Sequence, residues 1–164
     1  MVTVNSESEF LSEAVFDHFL ARHTELPNWL VKQKEKSWAD YLTLPAPNRK
    51  MENWRFANVK GLGVEGFRLA SKITQESSQS LVKASNRIQS TAGKLVFGND
   101  DLLEEQLLSE ELRAKGVIFE PLETAFAKHS EILEEFFMAQ ESELGSEKFT
   151  ALHTALNRNG TLLF

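Results

Sequence analysis

The stretch Pro45-Ala-Pro-Asn-Arg-Lys-Met-Glu-Asn-Trp-Arg-Phe-Ala-Asn-Val-Lys-Gly-Leu62 divides the chain, and residues 45–62 are called the signature segment throughout. Its two prolines end the preceding element, because proline fixes φ, lacks an N–H and disfavours the helical region for the residue before it. Basic side chains at positions 49, 50, 55 and 60 then alternate with Trp54 and Phe56. This pattern suits three roles equally: binding phosphate, stacking on a base, or lying as an ordered belt against the protein itself.

The composition is typical of a globular domain, since 41% of the 164 residues are hydrophobic and 26% are charged. No apolar run approaches the ~20 residues that cross a bilayer, so we expect neither a membrane span nor a membrane partner. The first residues lack the basic start and apolar core of a signal peptide, and they are acidic where a transit peptide is basic. We therefore expect a cytoplasmic protein.

Cysteine usage and charge restrict the function. The chain contains no cysteine, so it forms no disulfide and offers no thiolate to a metal or cluster. Residues 99–149 carry fourteen acidic and four basic side chains, a balance of −10, so the remainder must be +4 to give the overall −6. Because phosphate binding needs a basic face that displaces counterions, this acidic half argues against a nucleic-acid partner.

Two amphipathic helices are predicted before the signature segment. The first begins at a capping box formed by Ser6 and Glu9 and runs to about Arg22, and the second runs from Pro27 to about Leu42. The inward side chains of the second helix are predicted to be Leu30, Val31, Trp38, Tyr41 and Leu42, and the outward ones Lys32, Lys34, Glu35 and Lys36. We expect these helices to form a hairpin over residues 1–44.

The remainder is predicted to mix helices with short strands. Thr74 is a candidate N-cap for a helix to about Ala84. Residues 94–97 and 116–119 are predicted strands, and the leucine-rich residues 102–114 between them suggest helical turns and a crossover, which allows parallel pairing. Residues from Pro121 onward are typical of a core helix pair bent near Ser130, followed by a last helix that Ser146 is predicted to cap.

The end of the chain is Asn159-Gly160 followed by Thr161-Leu-Leu-Phe. An Asn-Gly turn before four apolar or β-favouring residues predicts the start of a strand with no partner. We therefore expect the chain to be a fragment of a longer protein.

The signature segment resembles that of a known family. The run "LPAPNRKMENWRFANVKGL" is similar to the N-terminal signature of the SufB/SufD family, SufD in particular, of iron–sulfur cluster assembly proteins. The segments "GVIFEPLETAFAKHSEILEEFF" and "FTALHTALNRNGTLLF" are similar in order and spacing to those that precede the β-helix of that family. The signature residues carried by this match are Arg49, Lys50, Glu52, Asn53, Trp54, Arg55 and Phe56.

The resemblance implies a fold class and a division of the chain. The class is mainly α with a small β part (α+β), an N-terminal helical domain that ends at the first strand of an absent β-helix. The implied parts are a leading hairpin (1–44), the signature segment and a loop (45–70), a helical and short-strand region (71–160) and the start of a truncated β-helix (161–164).

The resemblance also implies a function. It indicates a non-catalytic N-terminal region of a SufD-like component in a complex with SufB and SufC. The iron–sulfur cluster would belong to the full complex, with no cofactor on this segment. No catalytic or metal-ligand spacing occurs in the sequence, so no enzyme is expected. The alternative is a small module that binds nucleic acid or a phosphate ligand through residues 49–56.

Trp54 is expected to be buried against the leading helical hairpin. A large indole so close to two chain-stopping prolines usually anchors its segment. Arg49 or Arg55 is expected to pair with a carboxylate such as Glu52 or with one from the acidic residues 99–149. In this interpretation the signature segment is a structural clasp.

Overall fold

A computed structural model describes residues 11–21, 25–62, 70–88, 90–99, 101–143 and 145–164. The helices in these ranges are α1 (Glu13–Ala21), α2 (Asn28–Thr43), α3 (Gln75–Ser85), α4 (Glu110–Ala114), α5 (Leu122–Lys128), α6 (Ser130–Phe136) and α7 (Glu147–Leu156). The strands are β1 (Lys94–Gly98), β2 (Asp101–Gln106), β3 (Phe119–Pro121) and β4 (Thr161–Leu163). The predicted class, mainly α with a small β part, is confirmed. The predicted capping box at Ser6 and Glu9 lies outside the described residues.

The chain forms two compact units that are each discontinuous in sequence. The first unit contains Met1–Leu69 and Glu134–Asn157, and the second contains Ala70–Leu133 and Arg158–Phe164. The predicted division into 1–44, 45–70, 71–160 and 161–164 stays a prediction.

The core of the first unit is a helix pair distant in sequence. α2 packs most extensively against α7, while α1 contributes Phe16, whose ring stacks on Trp38 with 4.9 Å between ring centroids. Phe16, Trp38 and Ala155 are buried together. The prediction paired the first two helices but missed α7, because the closing contacts join segments more than 100 residues apart.

Two side chains of α2 are placed opposite to the prediction. Leu42 is 59% exposed, and Lys34 is only 1% exposed. Lys34 lies four residues from both Leu30 and Trp38, and that spacing puts all three on one face of a helix. The predicted outward position of Lys34 is wrong because helical geometry outweighed the polarity of the side chain.

The second unit contains an antiparallel hairpin where a crossover was predicted. β1 pairs with β2 in a register that runs from Lys94 opposite Gln106 to Gly98 opposite Asp101. Asn99 follows β1 at φ 48°, a left-handed conformation that asparagine tolerates in tight turns. The predicted helical turns after Leu102 are therefore wrong up to Gln106, because the turn reverses the chain before a helix can begin.

The last strand has a partner, contrary to the prediction. β4 pairs antiparallel with β3, with Phe119 opposite Leu163, and Ile118 and Phe164 exchange two main-chain hydrogen bonds of 2.9 Å. α5 follows β3 directly, and the helix breaks at His129 before α6, which confirms the bend predicted near Ser130. That 161–164 begin a β-helix stays a prediction.

Candidate functional site

The signature segment folds as a series of tight turns. The main-chain N–H of Met51 donates to the carbonyl of Asn48 at 3.0 Å, and the Asn48 side chain accepts from the N–H of Lys50 at 3.0 Å. A 3₁₀ turn follows over Glu52–Trp54, and a second one covers Val59–Leu62. Within these turns the side chain of Trp54 is half-buried, whereas those of its neighbours Asn53 and Arg55 are exposed.

Trp54 is the inward anchor of the segment. Its indole Nε1 donates to the carbonyl of Gly145 at 2.9 Å, and its ring meets Phe149 edge to face with 5.9 Å between centroids. An indole is stabilised when its body packs on apolar groups while its N–H finds an acceptor. Trp54 is half-buried. The predicted anchoring of Trp54 against the leading hairpin is therefore corrected. Its observed partners are Phe149, in the first turn of α7, and Gly145, two residues before α7 begins.

Gly145 makes this anchor possible, and sequence reasoning missed it. The residue is buried at φ +81°, where side chains other than glycine are strained. A Cβ at this position would lie 2.7 Å from Nε1 of Trp54 and 3.0 Å from Cβ of Asn53. The signal in the sequence was a single glycine within the acidic loop before Ser146, which reads as an ordinary loop residue.

The other signature residues face solvent. The exposed ones are Arg49, Lys50, Glu52, Asn53, Arg55 and Phe56. Arg55 pairs with Glu52 at 3.4 Å, which confirms the predicted partner, and its guanidinium lies 4.6 Å from the centre of the Phe56 ring. Both charged side chains are more than half exposed, so the ion pair adds little stability. Phe56 is 89% exposed, the largest value among the exposed large hydrophobic residues described.

Two lysines tie α2 and α7 together, and neither was predicted to do so. Nζ of Lys34 donates to three carbonyls at the C-terminal end of α7: Thr154 at 3.2 Å, Ala155 at 3.3 Å and Asn157 at 2.5 Å. Nζ of Lys148 donates to two carbonyls at the C-terminal end of α2: Tyr41 at 2.6 Å and Leu44 at 2.7 Å. Since the last carbonyls of a helix lack partners within it, each helix supplies the cap of the other.

Burial changes the acidity of Lys34. Its ammonium lies 5.1 Å from the centre of the Phe19 ring. Removal from water disfavours the charged form, and this lowers the pKa of Lys34 from 10.5 to about 8. The three carbonyls and the ring face stabilise the proton that burial destabilises. The arrangement provides a structural cap in which the amine is enclosed by its own acceptors.

The described residues hold no group of three or more His, Cys, Asp or Glu side chains that could bind a metal ion. The second unit has one polar cluster, in which the Glu120 carboxylate lies 3.2 Å from Nζ of Lys128 and 3.6 Å from Nε2 of His129.

In the ranges that the structure covers, no helix has the length and apolarity needed to cross a membrane.

Comparison with known proteins points to one family. Residues 16–164 match a family model described as the SufBD protein N-terminal region. The chain is 34% identical over 151 residues to an iron–sulfur cluster assembly protein, SufD, of Bacillus subtilis, a match that covers 89% of this chain and 33% of that protein. It is 26% identical over 168 residues to iron–sulfur cluster assembly SufBD family proteins of Mycobacterium tuberculosis and Mycobacterium bovis, covering 94% of this chain and 19% of each.

The chain thus spans about one third of the Bacillus subtilis relative and about one fifth of the mycobacterial ones. No solved structure matches it. None of these comparisons supports the alternative of a nucleic-acid or phosphate-ligand module at residues 49–56.

Proposed function

The chain belongs to the SufB/SufD family and corresponds to its N-terminal region, and on this premise we propose that it is the N-terminal, non-catalytic region of a SufD-like component in iron–sulfur cluster assembly. The observation that carries the proposal is the family match over residues 16–164, supported by 34% identity to a SufD over 89% of the chain. The cluster is the cargo of the whole assembly. This chain, which contains no cysteine, contributes no thiolate to it.

The partners in this proposal are SufB and SufC, which the whole protein would meet in a cytoplasmic SufB–SufC–SufD complex. The N-terminal region then works by folding and by protein contacts. No cofactor, nucleic acid or membrane is assigned to it. The acidic balance of residues 99–149 supports the exclusion of nucleic acid, because like charges repel a phosphate backbone.

The signature segment is proposed to be a clasp with two sides. Trp54 supports the structural side through its hydrogen bond to Gly145 and its contact with Phe149. The exposed residues, Arg49, Lys50, Glu52, Asn53, Arg55 and Phe56, are proposed to serve structure or interaction from the solvent side. The four-part division ending in the start of a β-helix at 161–164 belongs to the same proposal.

Co-purification tests the proposed function. A tagged full-length protein containing this chain is expressed together with its SufB and SufC counterparts, and the bound fraction is analysed by mass spectrometry. We expect both partners at near-stoichiometric amounts, and we expect an unrelated tagged protein of similar size and charge to recover neither. Recovery of neither SufB nor SufC by the full-length protein would overturn the proposal.

A further inference from the structure

We propose that Asn159 is a site of spontaneous covalent modification, in which its side-chain amide becomes an acid through a cyclic imide closed by the main-chain nitrogen of Gly160. These two residues are called the Asn-Gly turn. They follow Arg158, where the second unit of the chain resumes after α7. The reaction requires the Asn-Gly turn and water, so it does not rest on the proposed function.

The reaction balances with water as its co-reactant. Hydroxide takes the proton from the Gly160 main-chain nitrogen, and this nitrogen attacks Cγ of Asn159. A bond forms between the Gly160 nitrogen and Cγ, the bond from Cγ to Nδ2 breaks, and Nδ2 takes up a proton and leaves as ammonia. Water then opens the five-membered imide at one of its two carbonyls, which gives either aspartate or isoaspartate at position 159.

The fold holds the attacking nitrogen beside the amide that it attacks. The Gly160 main-chain N–H donates to Oδ1 of Asn159 at 2.9 Å, so the side chain is folded back onto the peptide bond that follows it. Cγ is bonded directly to Oδ1. Rotation about the side chain therefore brings the carbonyl carbon, in place of its oxygen, to the nitrogen. Glycine has no Cβ that would shield the nitrogen from this approach.

Packing keeps glycine at position 160. A Cβ built there would lie 2.9 Å from Cδ1 of Leu122, so the fold favours the residue that also leaves the nitrogen accessible. Asn159 and Gly160 are both partly exposed, and water can reach them. Every other asparagine in the chain precedes a residue that carries a side chain. These observations single out Asn159 for the reaction.

Isoaspartate at this position changes the link between the Asn-Gly turn and α5. Its main chain runs through Cγ, so one additional carbon separates Cα of residue 159 from the Gly160 nitrogen. The Gly160 carbonyl accepts from the main-chain N–H of Leu122 at 3.0 Å, and Thr161 then begins the pairing of β4 with Pro121. The longer main chain displaces the Gly160 carbonyl, and we expect its hydrogen bond with Leu122 to weaken.

Mass spectrometry of the aged 164-residue chain tests the reaction. The folded chain is kept at physiological temperature, at neutral and at mildly alkaline pH, and then digested briefly with trypsin. The peptide that begins at Asn159 should show the mass increase of amide-to-acid conversion. Its rate should rise in proportion to hydroxide, because the attacking nitrogen must lose its proton. Fragmentation should find isoaspartate among the products, since direct hydrolysis of the amide gives aspartate alone.

The same digest contains an internal control. Asn157 lies two positions earlier, and Arg158 follows it, so its peptide should stay unconverted over the same period. Conversion at Asn159 that is no faster than at Asn157 would overturn the proposal, as would a rate independent of pH. Aspartate as the sole product would exclude the imide.

A matched substitution tests the ring closure. Asn159→Gln keeps the amide but adds one methylene group, so attack by the same nitrogen must close a six-membered ring. We expect this variant to remain unconverted in the period in which the original chain reacts. Circular dichroism checks that the variant folds. Equal rates of conversion in the two chains would contradict the assigned reaction.

Hydrogen exchange tests the effect on Leu122. Asn159→Asp introduces the negative charge with an ordinary main chain and should leave exchange of the Leu122 N–H unchanged. The isoaspartate fraction of the aged chain, isolated by chromatography, should exchange this N–H severalfold faster, because the hydrogen bond that protects it is weakened. Equal exchange in the two would contradict the predicted effect. These tests follow residue 159 itself, whereas the test of the proposed function measures recovery of SufB and SufC, so the two can fail independently.

Discussion

The two ends of α7 are held by different physical means. At its N-terminal end, the Trp54 indole fits against Gly145, and Lys148 caps α2 from a partly exposed position. At its C-terminal end, the buried Lys34 closes three carbonyls. The packing at the N-terminal end depends on shape, because Gly145 has no Cβ and so leaves space for the Trp54 indole. The capping at the C-terminal end depends on the Lys34 ammonium, which is buried away from water. The N-terminal end should therefore be sensitive to added volume, and the C-terminal end to pH.

The largest effect is expected from Gly145→Ala. The substitution costs about 3 kcal/mol of unfolding free energy, because a positive φ strains alanine and its Cβ meets the indole nitrogen at 2.7 Å. Urea denaturation measures the loss. Gly116→Ala is the matched control, since Gly116 has φ +87° but nothing within 4 Å of an added Cβ, and it should cost about 1 kcal/mol. Equal losses would show that the fit around Trp54 is not what requires glycine.

Lys34→Met should rank second. The substitution keeps most of the volume but leaves the carbonyls at the end of α7 without their donor, which should cost about 2 kcal/mol at pH 7. The control is Lys36→Met on the same helix, where the side chain is 78% exposed and pairs only with Asp40, with an expected loss below about 0.5 kcal/mol. If Lys34→Met and Lys36→Met have equal denaturant midpoints, the buried cap formed by Lys34 does not stabilise the fold as proposed.

The pH dependence of stability should distinguish the C-terminal end of α7 from its N-terminal end. The pKa of Lys34 is about 8 in the folded chain against the ordinary lysine value of 10.5 in the unfolded chain, so between these values the unfolded chain binds more protons. Unfolding free energy therefore rises with pH, by roughly 1.5 kcal/mol from pH 8 to 9.5. Above that window, the raised pKa of the partly buried Tyr41 opposes the trend. The unfolding free energy of the Lys34→Met variant should not rise with pH in this window. If it rises as in the original chain, a group other than Lys34 causes the pH dependence.

The smallest effect is expected from Lys148→Met. Its Nζ bonds two carbonyls at the end of α2, as Lys34 does at the end of α7, but water can replace it at this partly exposed position. The loss should be about 1 kcal/mol, measured by the same urea titration. If Lys148→Met costs as much as Lys34→Met, then burial is not what separates the two caps.

Local signals in the sequence predicted several elements well. Proline and capping residues act within one turn, so the second helix, the helix capped by Thr74 and the break near Ser130 could be located. The strand before Gly98 was also predicted. Its pairing was not, because the leucines after Asp101 have a spacing that suits a helix and a strand alike. Only the turn at Asn99 decides between them.

The candidate site shows the same limit. The identity of the signature residues, and the pairing of Arg55 with Glu52, follow from neighbours a few positions apart. The partner of Trp54 lies 91 positions away, and nothing in residues 45–62 indicates which glycine will meet the indole. The burial of Lys34 was within reach of the sequence, since its spacing from Leu30 and Trp38 marks the inward face.

The family, the helical character of the chain and its lack of thiolate ligands follow from the amino-acid sequence, because these depend on residue identity and short-range spacing. The packing of α2 on α7, the pairing of β4 with β3 and the burial of a lysine in the core are visible only in the folded chain. Those outcomes depend on which distant segments bury apolar surface together while still satisfying their polar groups, and no local pattern records that choice.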